Sequence, residues 1–276
     1  MLSIATDYVR GHGCPEPYLR AIAEAGISYI HWTHHFNTDF LYLDCEVEQV
    51  AQWLTDYGLR VNDLHASAGV EKRWMSFKEY ERLAGVELVK NRIGMTARLG
   101  SDVVVLHLPC EPEDPGANEI FWGQVHRSLE AVEPYAREHG VRIALENLYP
   151  DNWHTLERVF SDYSPDYVGL CYDSGHGNLK DWSDGLGHLD RLKDRLISLH
   201  LNDNDGSGDQ HKPLFLGTVD FDRLARIIAQ SPYSKCTNME ITIHHSGIKD
   251  ERAFLDKAIE TGTTFSRMVN EFRAGR

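Results

Sequence analysis

No run of apolar residues in this sequence approaches the length needed to span a bilayer, and its start lacks the basic stretch and apolar segment of a secretory signal. The chain is therefore expected to be cytoplasmic and to have no membrane partner. Paired cysteines are missing as well. Cys14, Cys45, Cys110, Cys171 and Cys236 form an odd, scattered set without a CxxC pair. That argues against a disulfide framework or a cysteine zinc knot and suits free thiols in a reducing compartment.

Positive charge is scarce: 28 basic residues stand against 42 acidic ones, for a net charge of −14. A nucleic-acid duplex is itself densely negative, so no nucleic-acid partner is expected. The two local basic concentrations, Lys72-Arg73 and Arg191 to Arg195, are short and interrupted, as on solvated helix faces. No linker, low-complexity tract or composition shift divides the 276 residues, so a single domain is expected. A glycine-rich phosphate cradle is also absent, which favours an unphosphorylated ligand.

What is present has the composition of a folded globular protein, with 42% hydrophobic and 25% charged residues. Short apolar, β-branched stretches recur with longer amphipathic stretches between them, the pattern of βα units around a parallel sheet. Eight such strands are read: Leu2 to Ala5, Tyr29 to Trp32, Val61 to His65, Val103 to His107, Arg142 to Glu146, Tyr167 to Tyr172, Leu196 to Leu201 and Thr237 to Ile243. Eight units favour closure into a (β/α)8 TIM barrel of the α/β class, with a doubly wound open sheet as the alternative. Between strands three and four, Ser76-Phe-Lys-Glu79 reads as a capping box and Gly100 as the stop of the helix it opens. Leu83, Val86, Val89, Ile93 and Leu99 repeat along that helix at a spacing that buries one face. Asp44 and Asp220 precede further helical runs.

In a closed parallel barrel the functional groups gather at the carboxyl ends of the strands. His65, His107, Glu146, Asp173, His200 and Glu240 all fall at or near such ends, so six strands aim metal-competent groups at one mouth. Each has a plainer reading as a core histidine, a helix cap or a surface carboxylate. Glu146 and Glu240, however, lie among apolar neighbours, and two carboxylates in core strands repel unless a cation lies between them. Asp173 opens Asp-Ser-Gly-His176, a turn able to direct an acid and an imidazole into one cavity. The stretch Asn202 to His211 is too polar and glycine-rich for a core, and Asp209 and His211 within it are spaced to chelate from a loop.

Oxygen and nitrogen donors of this kind suit Mn, Mg, Co, Fe or Zn and do not choose between them, with Mn kept as the first expectation. A divalent ion beside a carbonyl acidifies the hydrogen on the adjacent carbon, and glutamates on either side could remove and return that proton. The loop His31 to Tyr42 crowds aromatic and histidine side chains, among them Trp32, His34 and Phe36. Apolar ring faces beside polar tips fit the alternating faces of a sugar.

From Leu145-Glu146-Asn147 through Asp173-Ser-Gly-His176, His200-Leu-Asn-Asp-Asn-Asp-Gly and Gly217-Thr-Val-Asp220-Phe221 to Glu240, the sequence resembles the xylose isomerase-like barrels, also called the AP endonuclease family 2 fold. By that resemblance Glu146, Asp173, His200 and Glu240 are the metal ligands, Glu146 and Glu240 double as the acid/base pair, and His176 meets a substrate oxygen. Endonuclease IV, of the same superfamily, holds three zinc ions, and its additional ligand positions match His65, His107, His176, Asp209 and His211. The chain departs from ketose epimerases in having no arginine between Arg195 and Arg223.

The expectation is thus a metal-dependent sugar or keto-sugar isomerase or epimerase, or a lyase or dehydratase that begins with the same proton abstraction. An endonuclease IV-like zinc phosphodiesterase is the alternative. The acidic surface weighs against it, because strand-end loops that grip DNA should carry lysine and arginine. A barrel without chemistry would have lost one of the four central positions, and none is lost. The expected partner is a small carbohydrate, with homo-oligomerisation left open.

Overall fold

The protein is seen here as a computed structural model that describes residues 1–180 and 183–275. Its eight parallel strands are β1 (Leu2–Ala5), β2 (Tyr29–Trp32), β3 (Arg60–His65), β4 (Val103–His107), β5 (Arg142–Glu146), β6 (Val168–Asp173), β7 (Leu196–His200) and β8 (Thr237–Met239). Consecutive strands pair from β1 to β7, and β1 also pairs with β8. Just above the ends of β7 and β8, a bridge between Leu201 and Met239 closes the ring. Leu201 N donates to Asn238 O at 2.9 Å there, and Glu240 N donates to Leu201 O at 3.0 Å. This closure makes the fold a TIM barrel and sets aside the open-sheet alternative.

The helices α1 (Glu16–Ala25), α2 (Asp44–Tyr57), α3 (Glu79–Arg98), α4 (Pro115–Glu138), α5 (Trp153–Asp162), α6 (Gly185–Leu192), α7 (Phe221–Gln230) and α8 (Glu251–Ala274) cover the sheet. In α7, Phe221, Leu224, Ala225, Ile227 and Ile228 are buried, and Asp220 caps the first turn by accepting from Arg223 N at 2.9 Å. Such apolar side chains each contribute roughly 1.5–3 kcal/mol when fully buried.

The period of two along a strand divides the interior into two layers. In β4, Val104 and Leu106 join the large core beneath the helices. Val103 and Val105 instead join Ala144, Cys171 and Ile197 in a small apolar cluster inside the barrel. Other interior positions are polar: His31, Asp63, Ser198 and Asn238 are fully buried. No helix among the described residues is long and apolar enough to cross a membrane, and all five cysteines are unpaired.

Several local expectations are corrected. β8 stops at Met239, because the backbone of Glu240 turns to Leu201 and Thr242 N donates to His211 O, so Ile243 begins a short 3-10 turn. Asp173 ends β6 rather than following it. Ser76 does not cap α3, whose cap position is Lys78. Ser76 Oγ donates to Glu81 at 2.7 Å, while Glu79 is taken by Arg82 and Arg127, which removes the reciprocal pair a capping box needs. Leu83 is 51% exposed, although Val86, Val89 and Ile93 on the same helix are buried. Finally, Asn202, Asp203 and Asn204 are fully buried despite their polarity.

Candidate metal centre

The inward residues at the upper ends of β5, β6 and β7, with Glu240 just past β8, converge on the barrel axis. One ligand atom from each of Glu146, Asp173, His200 and Glu240 lies within 4.8 Å of all the others, and all four side chains are buried. The second-layer contacts hold them firmly. Asp173 accepts from Asn202 Nδ2 at 2.7 Å and from the backbone N of His176 at 2.7 Å. Asn147 clamps β5 to β6, accepting from Asp173 N at 2.7 Å and donating to Asp173 O at 2.9 Å. Asn152 donates to Glu146 O at 3.0 Å. Gly175 is required in the turn between Asp173 and His176, since a Cβ there would run into the Asn202 amide.

His200 carries the test of whether a cation fits. Oxygens of Glu240 and Glu146 lie 2.9 and 3.2 Å from its Nδ1, yet neither ring nitrogen has a hydrogen-bond partner. The carboxylates approach at angles an N–H bond would not take, as donors do when they share a point rather than each other. Three buried carboxylates around such a point repel unless a positive charge intervenes. A protonated His200 supplies part of it. Burial opposes its protonation, but the fields of the Glu240 and Glu146 carboxylates raise its pKa well above the ordinary value. Burial likewise opposes ionisation of Glu146 and Glu240, and the field of His200 overrides it and holds both carboxyls low. Asp173 goes the other way: burial, with Glu146 adding to it, pushes its pKa up to about 6 despite His176. The donor set and the orphaned imidazole fit a divalent ion.

Two more groups of donors adjoin this one. His65, His107 and Glu146 form the first, with His65 Nε2 3.0 Å from His107 Nε2 and 3.4 Å from Glu146. Burial, followed by the field of His107, lowers the pKa of His65 to about 4. His176, Asp209 and His211 form the second, with Asp209 2.9 Å from His211 Nε2 and 3.5 Å from His176 Nε2. Three of these histidines share one arrangement: His65, His176 and His211 each direct Nδ1 at a backbone carbonyl, of Ala66, Asn147 and Glu240, at 2.7 to 2.9 Å. A carbonyl only accepts, so Nδ1 carries the proton and Nε2 is turned toward the site. All nine donors foreseen from the sequence therefore meet in one mouth.

The aromatic loop is split. Phe36 borders the mouth, its ring centre 4.4 Å from that of His65. Trp32 is fully buried and donates to Tyr42 Oη at 3.3 Å, and His34 Nε2 donates to Gly13 O at 2.7 Å. Both line a separate cavity of about 310 Å³ against α2, with Cys14, Phe40 and Tyr42 among its other walls. Strand parity explains Trp32, since His31 faces the axis and Trp32 therefore faces the helices; His34 and Phe36 lie beyond β2, where the alternation no longer applies.

The sequence reading overlooked His31 and Asp63. His31 Nδ1 lies 2.7 Å from Asp63, and the His31 ring centre is 4.5 Å from that of His200. Counting back by two from His65 would have found Asp63, a carboxylate pointed into the barrel.

Comparisons with known proteins agree with the architecture. The profile of the family described as "Xylose isomerase-like TIM barrel" matches residues 19–258. "Uncharacterized protein y4fM" of Sinorhizobium fredii is 32% identical, over 92% of this chain and 89% of its own length. "Probable endonuclease 4" of Bacillus licheniformis is 24% identical over 64% of this chain, which spans 58% of that protein. Among solved structures, a "D-tagatose 3-epimerase-like protein" superposes with a TM-score of 0.78 at 19% identity, covering 98% of each chain. At that identity the superposition speaks for the fold. With the profile spanning most of its length, the chain belongs to the xylose isomerase-like TIM barrel family.

Proposed function

We propose that this protein is a divalent-metal-dependent isomerase or epimerase of a sugar or keto-sugar. The observation that carries the reading is the pair of buried glutamates, Glu146 and Glu240, set against one imidazole with both its nitrogens unpartnered. Glu146, Asp173, His200 and Glu240 would hold the ion, with Mn the first expectation among Mn, Mg, Co, Fe and Zn. A bound divalent ion supplies electrophilic polarisation of a substrate carbonyl and so acidifies the neighbouring C–H. One of Glu146 and Glu240, kept ionised, would take that proton, and the other, once it has itself picked up a proton, would deliver one to the opposite side. His176 is turned to meet a substrate oxygen through Nε2, and Phe36 offers a ring face at the mouth. A lyase or dehydratase would share the first step. The likeness to an epimerase-like structure supports the choice of substrate class, and unpaired cysteines agree with a cytoplasmic setting.

The nine clustered donors favour one second reading, a phosphodiesterase using several zinc ions, and a relative called endonuclease 4 gives it weight. Elemental analysis of protein purified without chelator separates the two. Near one Mn, Mg, Co or Fe per chain supports the isomerase; two or three zinc ions favour the phosphodiesterase. Protein that acquires no metal on titration would refute both.

A further inference from the structure

Beneath the four proposed ligands, on the barrel axis, lies a buried pair that those roles leave unused. Asp63 sits midway along β3 with no exposure and accepts from His31 Nδ1 at 2.7 Å, from Asn238 Nδ2 at 3.2 Å and from Ser198 Oγ. A carboxylate so fully supplied with donors is ionised, so the His31 nitrogen facing it carries the proton. The other nitrogen, Nε2, is buried and has no hydrogen-bond partner. It is not stranded in an apolar floor: ligand atoms of His31, His200 and Glu240 lie within 4.8 Å of one another, a group that includes neither Glu146 nor Asp173. A buried acceptor without a donor is destabilising, whereas an imidazole that gives one N–H to a carboxylate and points its other nitrogen at a cluster of ligands is the usual arrangement beside a metal.

We propose that His31, oriented by Asp63, is a further ligand of a divalent ion shared with His200 and Glu240. The inference rests on the metal centre of the preceding section and deepens it. It adds a second imidazole nitrogen beside that of His200. Imidazole suits cobalt, zinc and iron better than magnesium, so His31 also acts on metal choice.

The test uses the full chain stripped of metal and reloaded with one equivalent of Mn²⁺ or Co²⁺ alone. Electron spin-echo spectroscopy of the Mn²⁺ form should detect two coupled nitrogens in the wild type and one in His31→Gln. Calorimetric titration should show Co²⁺ affinity falling by about 10- to 100-fold in both His31→Gln and Asp63→Asn, the range expected when a ligand or its orienting partner is lost. Mg²⁺ affinity should change less. One nitrogen in the wild type overturns the proposal without recourse to any variant that could misfold. Co²⁺ affinity unchanged in a folded His31→Gln also overturns it while leaving the four-ligand centre standing. A wild type that binds neither ion refutes the centre itself.

Discussion

Alternate residues of the same strands serve opposite ends. In β6, Val168, Leu170 and Tyr172 pack beneath the helices, while Cys171 and Asp173 face the axis, one in the apolar interior and one at the centre. In β5, Ile143 and Leu145 do the first task, and Ala144 and Glu146 the second. The outward set stabilises by burying apolar surface. The inward set gathers like charges that oppose folding unless something positive joins them. Stability and chemistry are thus carried by different residues only one position apart, and substitutions in the two sets should fail differently.

The largest expected effect is on the inward side. Glu146→Gln or Glu240→Gln should lower kcat by about 10²- to 10⁴-fold, the span of a lost acid/base group, with little change in the melting temperature of the metal-free protein. A variant that melts far lower would break the comparison. One step outward, Leu170→Ala should lose about 2–5 kcal/mol of stability while the folded fraction keeps its metal affinity. Denaturant unfolding read beside metal titration checks both halves.

A smaller effect concerns pH. His65 has its pKa depressed to about 4, so between that value and its ordinary 6.5 the unfolded chain binds a proton that the folded chain does not. Metal-free protein should therefore lose stability as pH falls from 6.5 toward 4, and His65→Gln should flatten that slope. An unchanged slope in the variant would assign the acid sensitivity elsewhere. Smallest of all, Phe36→Leu should raise KM a few-fold, and Trp32→Phe should leave KM alone, since Phe36 borders His65 and His107 at the mouth whereas Trp32 packs against His34 and Tyr42.

How much of this was legible in the sequence follows the same division. Strands, helices and the nine donors could be read because strand ends in a closed barrel point to one mouth, and the rule needs only local pattern. Burial of Asn202 to Asn204 could not. It depends on distant backbone, with Asp203 accepting from Gly217 N at 2.7 Å and Val219 N at 3.0 Å. The helix start at Glu79 was misplaced because two arginines, one 48 residues away, compete for its carboxylate. Trp32 and His34 were taken for the mouth because composition reveals a crowded loop but not which side of the sheet each residue faces. Asp63 went unread in the interior of β3 and His31 was counted with the aromatic loop, and parity along the two strands would have placed both on the axis.

The central claim is proton transfer by two buried glutamates beside a cation. Its most direct test is incubation of metal-loaded protein with a panel of ketoses and keto-sugars in deuterium oxide, followed by mass spectrometry. Deuterium should enter one carbon position next to the carbonyl of an accepted sugar, net turnover should be lost with Glu240→Gln, and exchange should vanish on metal removal. Turnover of a sugar at the wild-type rate by Glu240→Gln would contradict the two-glutamate account.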